Sequence, residues 1–297
     1  MLKFKTVTDE KECKELWEKF SPKKILWDLW DFRFCFHNNN FSFHFIVGID
    51  GKDEAGLLPL VFDNKEKCYA YFGGEFPEQN RIFLKDKANI GIFLEKCPKG
   101  TLIEYISNEE PKYYNFRPAD KRFFLDLAKY GNSFENYLKS FNKKHRKNLN
   151  YDLKKLSETG YALERNNIKD FERLVELNKA KFGKDSLYDD KNFVSGMSRL
   201  IGAASEMNIL DMISINMGNK AESVGLGVFY NGVYYVLGFG RNVRIPNLGK
   251  LIIAEQIKSA IAHKCGKVDF LSTDLSAESG WKELWNFDSE QLYKFEK

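Results

Sequence analysis

The stretch Tyr234–Ala260, YYVLGFGRNVRIPNLGKLIIAEQIKSA, decides how this chain is read. Its first residues are aromatic and β-branched and suit a strand. Arg, Asn, Pro and Gly then make a loop, and from Leu248 the apolar residues run nearly all round a long buried helix. The first amides of such a helix have no internal partners and point outward with the positive end of its dipole, a geometry that suits a diphosphate. Gly249 lets a ligand approach the backbone, Asn247 tolerates a left-handed conformation, and Arg244 and Lys250 add charge. An ordinary strand-to-helix turn with solvated charges uses the same residue types, so the surroundings must decide.

Working outward, KVDFLSTD (Lys267–Asp274) reads as a buried strand after the helix. Before it stand NILDMISINM, AESVGLGVFY and VYYVLGFG, three strands in which Asn231-Gly232 is a hairpin signal. Two helical stretches lead in, DFERLVELNKAKF and DDKNFVSGMSRLIGAASE. The first half shows the same order: the amphipathic KECKELWEKF, the meander FSFHFIVGI, AGLLPLVF and KCYAYFGG, then NIGIFLEKC as a helix and TLIEYIS as a strand. Helix, meander, helix, strand, twice over, points to a duplication. A long helical stretch from Ser133 to about Glu158 joins the halves, which places the expected limits at 1–130, 131–160 and 161–297.

Composition narrows the function classes. The 297 residues, 43% of them apolar, are ample for packed cores, and 46 Lys and Arg against 42 Asp and Glu give only +4, so any anion site must be local. Five scattered cysteines without metal-ligand spacing read as reduced thiols, with no metal expected. No apolar run approaches a membrane span and no signal peptide is visible, so the expected location is the cytoplasm. Neither a histidine triad, a Gly-x-Ser-x-Gly elbow, a P-loop nor a dinucleotide fingerprint is present.

The run NKKHRKN (Asn142–Asn148) reads as a solvated face or as a phosphate grip, and His145, four residues from Phe141 and from Leu149, is expected to be partly buried. Asp269 and Asp274 flank the centre of the last strand, where Asp274 is placed to relay an amine proton or merely to cap. Tyr234 and Tyr235 alternate, so only one ring faces a cleft. The histidines His37, His44 and His263 have no visible partner arrangement, and the aromatic run before Phe45 reads as core or cleft wall.

Four stretches together carry a resemblance. Arg244-x-x-Asn247-x-Gly249 resembles the pyrophosphate loop of the GNAT acyltransferases, with Asn247 where that loop has glycine. GWKELWNF (Gly280–Phe287) is similar to the end of the Fem-type and cellulose-biosynthesis-like acetyltransferase branch, with Trp281 where its tyrosine stands. AGLLPLVF with YFGGEF, and YLKSFNKKHRKNLNYDLKKLSETGYALE, are similar to that branch's first-half strands and basic joining helix. The resemblance implies an α/β fold with mixed sheets, two tandem GNAT-like domains joined by a long basic helix. It also implies transfer of an acyl group from acyl-CoA, or from aminoacyl-tRNA, to a small-molecule or peptide amine.

Acyl transfer needs a deprotonated amine and a stabilised oxyanion. Lys282, Asp274 and Tyr235 are the catalytic candidates, with Lys282 as the oxyanion's cation or else a lysine covering its tryptophans. Arg244, Asn247, Gly249 and Lys250 are the donor-binding candidates. Lys143, Lys144, Arg146 and Lys147 would meet a tRNA. The remaining alternative is a degenerate GNAT fold that only binds, for which Asn247 and Trp281 are the sequence hints.

Overall fold

The structure is a computed structural model that describes residues 2–273 and 280–297. It divides into two compact units, residues 2–122 with 272–273 and 290–297, and residues 123–271 with 280–289.

In the first unit β1 (Lys3–Val7) leads to α1 (Glu10–Phe20), whose N-cap Asp9 accepts the N–H of Glu12 and whose buried stripe is Cys13, Leu16 and Trp17. A short α2 (Trp30–Phe34) precedes the meander β2 (Phe41–Asp50), β3 (Asp53–Asp63) and β4 (Cys68–Tyr71). These strands lie in the antiparallel order β1-β2-β3-β4, with β5 (Phe83–Leu84) added to β3. Next come α3 (Ile90–Glu95), β6 (Leu102–Ile106) and β7 (Arg117–Asp126), whose residues from Phe123 on belong to the second unit. The aromatic run before Phe45 is core: Trp17, Trp27, Trp30, Phe32 and Phe45 are buried. Arg33 is buried among them, donating to the carbonyls of Trp27, Phe72 and Gln79 and to Asn80 Oδ1, with Trp17 and Tyr71 over its guanidinium. Burial lowers its pKa to about 10, and it stays charged at neutral pH.

The joining stretch is two helices rather than one. α4 (Phe134–Lys139) is capped by Ser133, and α5 (Lys143–Ser157) starts afresh at Asn142, whose side chain accepts the N–H of His145. Ser140 Oγ bonds back to the carbonyl of Tyr137 at 2.7 Å, which closes the first helix before the second is capped.

The second unit continues with β8 (Ala162–Arg165), α6 (Asp170–Phe182), α7 (Lys191–Glu206), β9 (Leu210–Met217), β10 (Lys220–Tyr230) and β11 (Val233–Arg241). The buried α8 (Leu248–Ala262) then leads to β12 (Lys267–Thr273), a short α9 (Gly280–Leu284) and β13 (Asp288–Glu296), whose residues from Glu290 on belong to the first unit. The sheet of the second unit runs β12-β11-β10-β9-β8, with β12 parallel to β11 and the other pairs antiparallel. Leu251, Ile252, Ile253 and Ile257 of α8 are buried, and such side chains contribute about 1.5–3 kcal/mol each. On the other face α6 comes so close that a Cβ at Gly240 would lie 2.5 Å from the Leu174 carbonyl, so only glycine fits there.

The element order helix, meander, helix, strand therefore occurs in both halves. The strand that closes each one carries a bulky residue at positive φ, Tyr105 at 53° and Leu271 at 58°.

Candidate functional site

The site is built where β11 and β12 part. Their parallel pairing runs from Val233–Lys267 through Tyr234–Val268 to Tyr235–Asp269 and continues no further among the described residues. Just past that point the β10–β11 register shifts, Leu226 pairing Gly238 and Gly227 pairing Val236, so Leu237 is an extra residue in β11. From Val236 onward β11 thus has an edge toward β12 whose backbone groups are not taken up by a neighbouring strand.

β11 leads into the α8 turn. Asn247 is the N-cap at φ 65°, in the left-handed region, and its side chain makes no capping bond; its carbonyl accepts the N–H groups of Lys250 and Leu251, so the amides of Leu248 and Gly249 keep their outward donors. The Arg244 side chain is exposed, and only its backbone N–H is engaged, by Asn242 Oδ1. Lys250 turns away: its Nζ lies 2.5 Å from Asp152 Oδ2 of α5. The cation that sits over the turn is Arg241, whose Cδ and Nε would each lie 3.1 Å from a Cβ on Gly249. Its guanidinium has no hydrogen-bond or ion-pair partner among the described residues. The loop motif pointed to Arg244 and Lys250; the signal for Arg241 was its place as the last residue of the strand.

The end of β12 gathers the other candidates. Val268 and Phe270 pack into the core beneath α8, so by alternation Asp269 lies on the opposite face, beside Tyr235 in the register. Tyr234 points under α8, where its hydroxyl donates to Asp211 Oδ2 at 2.9 Å; burial, and next the Asp211 carboxylate, hold its pKa well above the usual tyrosine range. Arg165 donates to Asp211 Oδ1 and to Ser259 Oγ in the same network, so Tyr234 is tied into structure.

Leu271 is held in its left-handed conformation from both sides: its N–H donates to Asp269 Oδ1 at 3.0 Å, and its carbonyl accepts from Lys282 Nζ at 3.3 Å. Such a conformation costs about 1–3 kcal/mol in a residue of this kind. Lys282 also donates to the Phe270 carbonyl at 2.7 Å and is buried, with Phe123 and Trp281 rings near its ammonium. It is therefore a buried lysine at the end of β12 rather than a surface one. Asp274 lies outside the described residues.

Residues 143–283 match the family model described as an acetyltransferase (GNAT) domain. This stretch, which is most of the second unit, is similar to a GNAT domain. Solved structures extend the likeness over nearly the whole chain. FemX matches at 13% identity and TM-score 0.64, covering 98% of this chain and 96% of its own. A tandem GNAT protein from the clavulanic acid biosynthesis pathway matches at 9% and 0.59, covering 99% and 97%. L-PGS from Bacillus licheniformis matches at 9% and 0.58, covering 97% and 91%. No curated protein matches the chain. The architecture is that of tandem GNAT folds, as the resemblance of the four stretches implies.

Along the joining helices the basic residues separate. Arg146 lines a surface groove of about 860 Å³ with Glu135, Leu138, Lys139 and Asn150, whereas Lys143, Lys144 and Lys147 are exposed. His145 is half-buried against Phe141, their ring centroids 5.0 Å apart. Among the described residues no group of three or more His, Cys, Asp or Glu could hold a metal, and no helix is long and apolar enough to cross a membrane.

Proposed function

We propose that the GNAT domain transfers an acyl group from an acyl-CoA to an amine, with the donor lying in the parting of β11 and β12. The observation that carries this reading is the convergence of an open strand edge, the uncapped start of α8 and the unpaired Arg241 guanidinium on Gly249. An extended, amide-bearing arm such as that of CoA pairs with an open strand edge as another strand would. The diphosphate at its end is anionic and suits the helix start and a planar guanidinium. In this reading Arg241 joins Arg244, Asn247 and Gly249 around the phosphates, and Lys250 acts through its tie to Asp152.

In the reaction the amine nitrogen attacks the thioester carbonyl, the C–S bond breaks, and an amide and a thiol leave, the amine proton passing to the thiolate by way of a base. Lys282 brings a buried positive charge to the end of β12, where it would offset the oxyanion that grows only in the transition state. Tyr235 and Asp274 keep their roles as candidates for the proton.

Melting curves with acetyl-CoA and longer acyl-CoA thioesters test the donor. Ligand at a hundred times its Kd adds about 2.7 kcal/mol of stability, so a fitting thioester raises Tm by several degrees. The absence of any shift across the series, together with a shift produced by aminoacyl-tRNA, would replace CoA by aminoacyl-tRNA as donor.

A further inference from the structure

The outer face of α5 has no role in that site. Some surface lysines elsewhere pair with carboxylates, as Lys5 does with Glu12, Lys19 with Glu54, Lys129 with Asp288 and Lys179 with Asp189, and others, such as Lys52 and Lys220, do not; what sets α5 apart is that its unpaired lysines share one face. On α5, Lys143, Lys144, Lys147, Lys154 and Lys155 are exposed, and their ammonium groups have no hydrogen-bond or ion-pair partner among the described residues. Leu149 and Leu156 mark the buried side of this helix. Stepping 100° per residue from them puts Lys143, Lys147, Tyr151 and Lys154 opposite, with Lys144 and Lys155 beside them.

The five lysines stretch about 18 Å along one face. Tyr151, 63% exposed, stands in their midst. Of the nearby carboxylates, Asp152 is turned away and paired with Lys250, and Glu158, at the C-cap one turn beyond Lys154, puts one negative charge at the end of the lysine face. Three of the lysines lie in the first two turns, where the positive end of the helix dipole opposes them. Such an arrangement is unfavourable within the molecule and is relieved by an external anionic surface.

We propose that this face docks the protein on an anionic lipid bilayer. A plane meets all five ammonium groups of a convex, straight helix at once, and each lysine near an anionic leaflet strengthens binding about fivefold. An exposed tyrosine among them places an amphipathic ring at headgroup level. The guanidinium that would grip an RNA phosphate in two-pronged fashion, that of Arg146, is turned off the face into the groove beside Lys139. Point charges and one amphipathic ring remain, which is the chemistry of a lipid headgroup layer.

Flotation of the whole protein with phosphatidylcholine vesicles containing one-third phosphatidylglycerol, with pure phosphatidylcholine vesicles and with uncharged tRNA as competitor tests this. Expected is binding to the anionic vesicles alone, released by raised salt. Lys143→Glu, Lys144→Glu and Lys147→Glu together should weaken it more than about a hundredfold, and Tyr151→Ala should weaken it less. The triple variant should also melt no lower than the parent, because glutamates suit the start of a helix, so lost binding is not lost fold. Equal binding to both vesicles, unchanged binding by the triple variant, or binding of tRNA with none of vesicles would overturn the proposal. The acyl-CoA melting shift is read without vesicles, so the two readings fail separately.

Discussion

Replacing Gly249 by alanine separates a structural glycine from a ligand-binding one, because the two predict opposite signs. In the first turn of α8 an alanine gains up to about 1 kcal/mol of helix preference over glycine, a rise of about 2–4 °C in Tm for a unit of this size. Its Cβ would stand 3.1 Å from Arg241 Cδ and Nε, closer than ordinary contact, so the Arg241 side chain must give by a few tenths of an ångström and its guanidinium is displaced from the position where it would meet a phosphate. A lost hydrogen bond between charged groups is worth about 1.5–3 kcal/mol, which weakens acyl-CoA binding about tenfold to 150-fold. Arg241→Ala should lose the same affinity without the gain in Tm, and the double variant should lose little more than either single one. Titration calorimetry with acetyl-CoA, run beside melting curves, reads both quantities. If both single variants bind acetyl-CoA as the parent does, Arg241 does not hold the donor and the assignment of the α8 turn is wrong.

Lys282→Met should abolish turnover and also destabilise the second unit by about 2–4 kcal/mol, since the Phe270 and Leu271 carbonyls lose their buried donor; denaturant unfolding gives the number. Arg33→Lys should cost at least about 2 kcal/mol in the first unit, because one ammonium cannot satisfy the four acceptors that the guanidinium joins. Native alkylation at pH 7.5 should mark Cys68 well before Cys265. Burial raises the Cys265 thiol to about 11, so its thiolate fraction there is below about one in a thousand, whereas Cys68 is only half-buried; mass spectrometry orders the sites.

Much of the fold is legible in the sequence because it is written in periodicity. The two meanders, the Asn231-Gly232 hairpin and the apolar α8 follow from residue type and spacing. Among the elements that escape notice are β1, β7, β8 and β13. In β8 all four residues are exposed, and in β7 charged residues fill the first half, so no buried face shows as alternation. The break at Ser140–Asn142 is equally hidden, because serine and asparagine inside a lysine-rich run read as helix surface until one side chain caps a new start.

At the site, loop chemistry located the turn but not its cation. Which arginine lies on Gly249 depends on how β11 ends, and which lysine is free depends on Asp152, ninety-eight residues away. Nor does any residue type announce Leu271 in the left-handed region; that conformation is imposed by Asp269 and Lys282 together.

The last residues of β13 close the first unit: Phe295 pairs with Ile103, and the backbone of Lys297 bonds to Gly100 and Thr101. During synthesis the ribosome therefore delivers nearly all of the first unit early and its final strand last. Until then Leu102–Ile106 presents an unpaired edge to the cell, and the first unit, though begun first, is the later of the two to be completed.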